Sequence, residues 1–235
     1  MADFAVFESK IGYVFTDKGL LEQSFTHRSY LNENRTSTRS GRGAEHNERL
    51  EFLGDAVLEL VVTEFLYAKY PEKPEGDLTA YRAALVNTVS ISEAAKILGM
   101  NDFLLLSRGE SKDTGRARQI ILANAFEALI GAIYLDAGYE AAKNFIRNQL
   151  FHKTDEVVAK RLWQDAKSHF QELAQEKFGK TPDYQLLNQS GPDHDKRFVV
   201  GAYVGQDKIA TGEGHSKQEA EQAAAEKALA VKGWQ

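Results

Sequence analysis

The sequence predicts two domains of different class: an all-α N-terminal domain, then a small α+β domain of order α-β-β-β-α. Three observations lead there. The 235 residues are enough for two separate cores. From residue 4 to about residue 151, apolar side chains recur every three or four positions, as in Leu50, Leu53, Val57 and Leu60 or Ile91, Ala94, Ala95 and Leu98. After about Lys160 the texture changes to strand-like segments at 184–188, 197–204 and 208–213, punctuated by Gly191, Gly205 and Gly212. We place the domains at 1–158 and 163–235.

Taken in order, the helical part is interrupted first at 35–43, RTSTRSGRG, which reads as a mobile loop ahead of the most informative helix. A turn-forming stretch from Pro71 to Gly76 ends one helix before Asp77 opens the next. In the second part an amphipathic helix near 166–178 precedes the three strands, and Ser216 caps a final Ala- and Glu-rich helix running to about Val231. No internal repeat is present.

Composition narrows the chemistry. Hydrophobic residues at 43% and charged residues at 27% are ordinary for a folded globular protein. The absence of cysteine removes disulfides, thiolate zinc sites and cysteine nucleophiles together, so any metal must bind oxygen or histidine. The N-terminus lacks a basic n-region and carries Asp3, Glu8 and Lys10, unlike a signal peptide. The apolar run from Ile120 to Leu135 contains Glu127 and falls short of the roughly 20 residues of a membrane span. A cytoplasmic protein without membrane contact is expected. The net charge is −5, and residues 1–162 hold 20 basic and 23 acidic side chains against 9 and 11 in the remainder. Neither part is basic, so binding of nucleic acid must rest on where the charges stand.

The stretch HNERLEFLGDAVL sets Glu48, Glu51 and Asp55 at i, i+3 and i+7, within roughly 60° of arc on one helix, with Leu50, Leu53 and Val57 opposite. A solvated helix face accounts for that spacing equally well. The second helix adds the missing argument. It is apolar nearly all round from Ile120 to Leu135, broken only by Asn124, Glu127 and Gly131. A carboxylate buried there is costly without a cation or hydrogen-bonding partner. Asn124 and Glu127 share a face at i, i+3, so both could meet Glu51 and Asp55 around a hard cation. Oxygen donors suit Mg²⁺, with Mn²⁺ also possible. A buried salt bridge to Arg49 or Arg82 is the alternative.

These residues carry a resemblance. HNERLEFLGDAVL is similar to the signature of the ribonuclease III family. It is accompanied, in the family's order, by FTHRSY at 25–30, EGDLTAYRAALVN at 75–87 and ILANAFEALIGAIYLDAG at 121–138. The resemblance implies a metal site formed by Glu51, Asp55 and the pair at 124 and 127. Asp55 and Glu127 would be catalytic, and Glu51, Asn124 and Glu127 would hold the metal. It associates Glu48 and Glu75 with the subunit interface and the edge of the cutting valley. It implies a homodimer that cuts both strands of an RNA duplex, leaving 5'-phosphate and 3'-hydroxyl ends, in the processing of rRNA and mRNA precursors. One position departs: the family usually has Asp where this chain has Asn124. Asn keeps a carbonyl oxygen but removes one negative charge. An active natural variant, an adaptation to Mn²⁺ and an engineered change that traps substrate all fit.

Residues 165–232 resemble a double-stranded-RNA-binding domain. Ser168, Gln171, Glu172 and Gln175 lie at i, i+3, i+4 and i+7, where they could reach 2'-hydroxyls and base edges in a minor groove, although a solvated face has the same spacing. The loop SGPDHDKRF would project His194 and Lys196 toward the next minor groove. Ser216 and Lys217 open the last helix, where phosphate is favoured, and Gln218 stands where a second lysine is common. Such domains recognise A-form shape over roughly 16 base pairs, which needs few charges. The competing readings are a duplex-binding protein that cleaves poorly because of Asn124, and a helical phosphohydrolase of small nucleotides, for which the tail has no use.

Overall fold

The computed structural model describes residues 3–33, 45–159, 163, 165–192 and 196–234. The loop expected at 35–43 lies outside them, as does His194. The chain divides into two compact units, Met1–Trp163 and Gln164–Gln235.

The first unit is helical among its described residues: α1 (Phe4–Ile11), α2 (Lys18–Phe25), α3 (Arg28–Glu33), α4 (Glu48–Lys69), α5 (Glu75–Leu85), α6 (Thr88–Ile97), α7 (Arg116–Leu150) and α8 (Thr154–Ala159). Local signals set the ends. Asp3 and Asp17 cap α1 and α2 by accepting from Ala5 N and Gly19 N, and Asn87 caps α6 by accepting from Ser90 N. Gly12 closes α1 in the left-handed conformation. Helix α5 opens at Glu75, two residues before the expected Asp77. Pro74 occupies its N-cap with extended backbone, and proline needs no amide partner there.

Helices α4 and α7 form the centre. Leu50, Val57, Leu58, Val61, Val62 and Leu66 of α4 are buried against a face of α7 that includes Leu122, Phe126, Leu129, Ile130 and Ile133. Each such side chain contributes about 1.5–3 kcal/mol by leaving water. Leu60 stands 57% exposed on the outer side of α4. The ends of the apolar run on α7 are also exposed, at Ile120 and Leu135. The helical stretch from Arg116 to Ala159, of which α7 is the greater part, passes as a candidate membrane span by length and composition, but most of its apolar window is buried in the unit. A break at Gly138, with φ of 79°, divides it.

Two acids brace the same unit. The Tyr13 hydroxyl donates to Asp136 at 2.6 Å, and Thr16 N and Asp17 N donate to the same carboxylate at 2.9 and 2.8 Å. Glu8 accepts from Phe15 N at 2.7 Å and pairs with Lys18.

The second unit comprises α9 (Ala166–Phe178), β1 (Pro182–Ser190), β2 (Arg197–Val204), β3 (Asp207–Gly214) and α10 (Lys217–Lys232). The sheet is antiparallel in the order β1-β2-β3. Its core is built from Phe170 and Ala174 of α9, Ala202 and Val204 of β2, and Ala224, Ala225, Ala228 and Leu229 of α10. The alanines let α10 lie directly on the sheet. A Cβ on Gly212 would fall 2.1 Å from Ala224 N, so no larger residue fits at that point of β3.

Candidate active site and nucleic-acid face

Two glycines decide how close the acids of α4 come to those of α7. A Cβ on Gly54 would lie 1.8 Å from the backbone oxygen of Glu127, and one on Gly131 would lie 2.3 Å from the backbone oxygen of Leu50. The helices therefore touch backbone to backbone, with Glu51 and Asp55 flanking Gly54 on one side and Glu127 on the other. Sequence reading noted Gly131 only as an interruption and passed over Gly54. The signal available was a glycine in each of two otherwise strongly helical segments, where it costs about 1 kcal/mol relative to alanine unless close packing requires it.

The start of α4 is held from a distance. Asn47 is buried and makes no side-chain cap; instead its Nδ2 donates to Ser24 O at 3.3 Å and its N–H to Thr26 O at 2.9 Å. That ties the first turn, and so Glu48 and Glu51, to the end of α2. Sequence reading missed Asn47, whose partner is 23 residues away.

The electrostatics are those of crowded acids. Burial pushes the Glu127 carboxyl up to about 8, and the charges of Asp55, Glu51 and Glu59 add to it. Glu51 is also raised, by burial and then by Glu48 and Asp55, against a hydrogen bond from Asn124 that favours its ionised form. So Glu51, Asp55 and Glu127 feel one another's charge, and Asn124 faces Glu51. The alternative of a salt bridge finds no support: Arg49 reaches Glu45 at 3.9 Å, and Arg82 pairs with Glu59 at 2.7 Å and donates to Thr63 at 2.8 Å. Among the described residues no three histidine or carboxylate side chains close into a metal-binding cluster. The donor set still fits a hard cation: three carboxylates and an amide oxygen, no thiolate, and one half-buried acid that faces acids and no basic side chain among the described residues.

The two flanking acids stand apart from this group in their partners. Glu48 is exposed and pairs with Arg28 at 3.6 Å and His46 at 3.7 Å. Glu75 is the exposed first residue of α5 and accepts from the Thr79 hydroxyl at 3.0 Å.

In the second unit, Ser168, Gln171, Glu172 and Gln175 are all exposed on one face of α9, which Asp165 caps through Lys167 N and Ser168 N. Ser216 caps α10 by accepting from Glu219 N at 3.1 Å, while the Glu219 carboxylate reaches back to His215 N at 2.9 Å. Lys217 is exposed at the first helical position, and Lys196 is half-buried just ahead of β2.

Comparison with known proteins agrees with this division. Residues 17–154 match the family described as ribonuclease-III-like, and residues 166–232 match the double-stranded RNA binding motif. The chain is 44% identical over 222 residues to Ribonuclease 3 of Protochlamydia amoebophila, covering 94% of this chain and 89% of that one. It is 46% identical to Ribonuclease 3 of Enterococcus faecalis, with 94% of each covered. A crystal structure of the nuclease domain of ribonuclease III from Campylobacter jejuni is 43% identical with a TM-score of 0.54, covering 63% of this chain and 96% of that one. A second structure of that domain, 42% identical with a TM-score of 0.54 and covering 63% of this chain and 98% of that one, concerns flexibility in a region involved in dimer formation. Two matched segments in the order of the two units, and relatives alike over nearly the whole length, place this chain in the ribonuclease III family.

Proposed function

We propose that this protein is an endoribonuclease that hydrolyses phosphodiester bonds of double-stranded RNA, leaving 5'-phosphate and 3'-hydroxyl ends, in cytoplasmic processing of rRNA and mRNA precursors. The observation that supports the reading is the mutual charge of Glu127, Asp55 and Glu51 on helices that cross backbone to backbone at Gly54 and Gly131.

Glu51, Asn124 and Glu127 would hold a divalent cation, Mg²⁺ or Mn²⁺. When bound, such an ion lowers the pKa of water and neutralises charge on the scissile phosphate. The raised affinity of Glu127 for a proton marks a carboxylate that gains by having a cation beside it. Asp55, exposed on the next turn from Glu51, orients the attacking water and accepts its proton. Asn124 donates to Glu51 and keeps its carboxylate in place. Glu48 and Glu75 border the site, and the exposed face of α9 together with Lys196, Ser216 and Lys217 holds the duplex. A second copy of the chain covers the outer stripe of α4, where Phe52 and Leu60 stand 82% and 57% exposed.

The test is single-turnover cleavage of a long RNA duplex with Mg²⁺ and with Mn²⁺, followed by mapping of the ends. Metal-dependent cuts with 5'-phosphates are expected; a shifted but uncut duplex in both metals overturns the reading. A second reading, a duplex binder that cleaves weakly, draws on the missing charge at Asn124. Under it Asn124→Asp raises the cleavage rate at limiting Mg²⁺ by about tenfold or more. Equal rates across a Mg²⁺ titration would rule it out.

A further inference from the structure

The N-terminal turn of α9 is joined to the second turn of α10 by a bridge that core packing does not require. Asp165 Oδ1 caps α9 by accepting from Lys167 N and Ser168 N, both at 3.1 Å. The same oxygen accepts from Gln222 Nε2 of α10 at 3.0 Å. Gln222 Oε1 in turn accepts from Lys167 N at 3.4 Å, so a single amide grips the first turn of α9 at two points. Beside it Lys167 Nζ pairs with Glu221 and lies 5.0 Å from the centre of the Tyr184 ring.

A helix cap needs only the backbone donors of its own first turn. Contact between the helices is already supplied by Phe170 and Ala174 against Ala224, Ala225 and Ala228. What the bridge adds is orientation. Ser168 sits on the gripped turn of α9, and Gln222 lies on α10 behind its capped end at Ser216 and Lys217. Gln222 and Ser216 line one open groove of about 420 Å³ along α10. An A-form duplex presents its minor groove and the neighbouring phosphates at a set separation. Two contact points held at that spacing in advance bind without losing freedom on docking.

We propose that Gln222, acting through Asp165 and Lys167, is a positioning residue that fixes the spacing between the Ser168 turn of α9 and the Lys217 end of α10, and so tunes this unit to the A-form duplex. The inference rests on the reading of the unit as a duplex binder.

The test uses the full chain in EDTA and fluorescence anisotropy on an RNA duplex of about 20 base pairs and on the RNA–DNA hybrid of the same sequence. Gln222→Leu removes both hydrogen bonds at similar volume. It is expected to weaken RNA binding about tenfold, equivalent to 1.4 kcal/mol. It is also expected to narrow the preference for RNA over hybrid, with the melting temperature of the protein little changed. Gln222→Glu, which faces Asp165 with like charge, should do the same. The pair Asp165→Asn with Gln222→Glu restores a donor opposite an acceptor and should recover both affinity and preference. Wild-type affinity and preference in Gln222→Leu would overturn the proposal, as would a loss that tracks unfolding and is not rescued by the pair. Failure of the unaltered chain to bind the duplex would overturn the parent reading instead.

Discussion

Gly54 and Glu127 meet where a single methyl group would not fit: a Cβ on Gly54 would stand 1.8 Å from the Glu127 carbonyl oxygen. The obstacle is backbone, so no rotamer change relieves it, and α4 and α7 must separate. Gly54→Ala is therefore expected to destabilise the protein by about 3 kcal/mol or more, as overpacking and lost helix contact combine. Urea denaturation followed by circular dichroism measures this. Cleavage should fall with it, and a variant within about 0.5 kcal/mol of the parent would refute the close crossing.

Glu127→Gln removes a carboxylate held at a raised pKa of about 8 by burial and by neighbouring acids. Cleavage should drop at least about a hundredfold while duplex binding is kept, because the loss touches only the reacting centre. Without metal, Glu127 also gives the stability of the protein a pH dependence. The folded protein holds a proton that the unfolded chain releases above pH 4.5, so the parent loses stability as pH rises from about 4.5 to about 8. The Gln variant lacks that slope. Melting curves in EDTA across the range would expose an unchanged slope, which contradicts the assignment.

Asp136 behaves the opposite way. Burial raises its pKa, but donation from Tyr13, Asp17 N and Thr16 N and the charge of Lys18 outweigh it, leaving the carboxyl below its ordinary value. Its stabilising share is complete above the unfolded value of 3.8 and is lost as pH falls through the folded one. Asp136→Asn should cost about 1–3 kcal/mol at pH 7, since three donors lose an ionised acceptor. The variant should also flatten the acid limb of stability against pH, and an identical acid limb would count against this account.

Phe52→Ser combined with Leu60→Ser tests the proposed pairing of two copies and should leave the chain monomeric. Both side chains lie on the outer stripe of α4 and are exposed within the single chain, so replacing them leaves the core intact. Sedimentation equilibrium should show the dimer constant weakened by about a hundredfold or more, the scale of losing two apolar anchors. A dimer of undiminished strength would place the contact elsewhere.

Periodicity carried most of the fold. The strands and helices of the second unit fall within a residue or two of the expected bounds, because glycine turns and a Ser cap mark their ends. The exposure of Leu60 was not legible, because a recurrence of three and four marks a helix without distinguishing a face that meets the core from one that meets solvent. The opening of α5 was placed late because a proline before a helix resembles loop until its backbone is seen to serve as the cap. At the site, Glu127 was legible as an acid inside an apolar helix. The role of Asn47 was not, since its hydrogen bond to Ser24 depends on tertiary structure. Gly54 escaped because close approach leaves no polar trace in a sequence.

The apolar character of α7 has a consequence for biosynthesis. A helix that passes as a membrane span by length and composition is hidden only once its neighbours surround it. Helices α1 to α6 all precede it in the chain and leave the ribosome first. The segment therefore emerges to find its packing partners already made, which shortens the interval in which a nascent chain could be misrouted to a bilayer or aggregate.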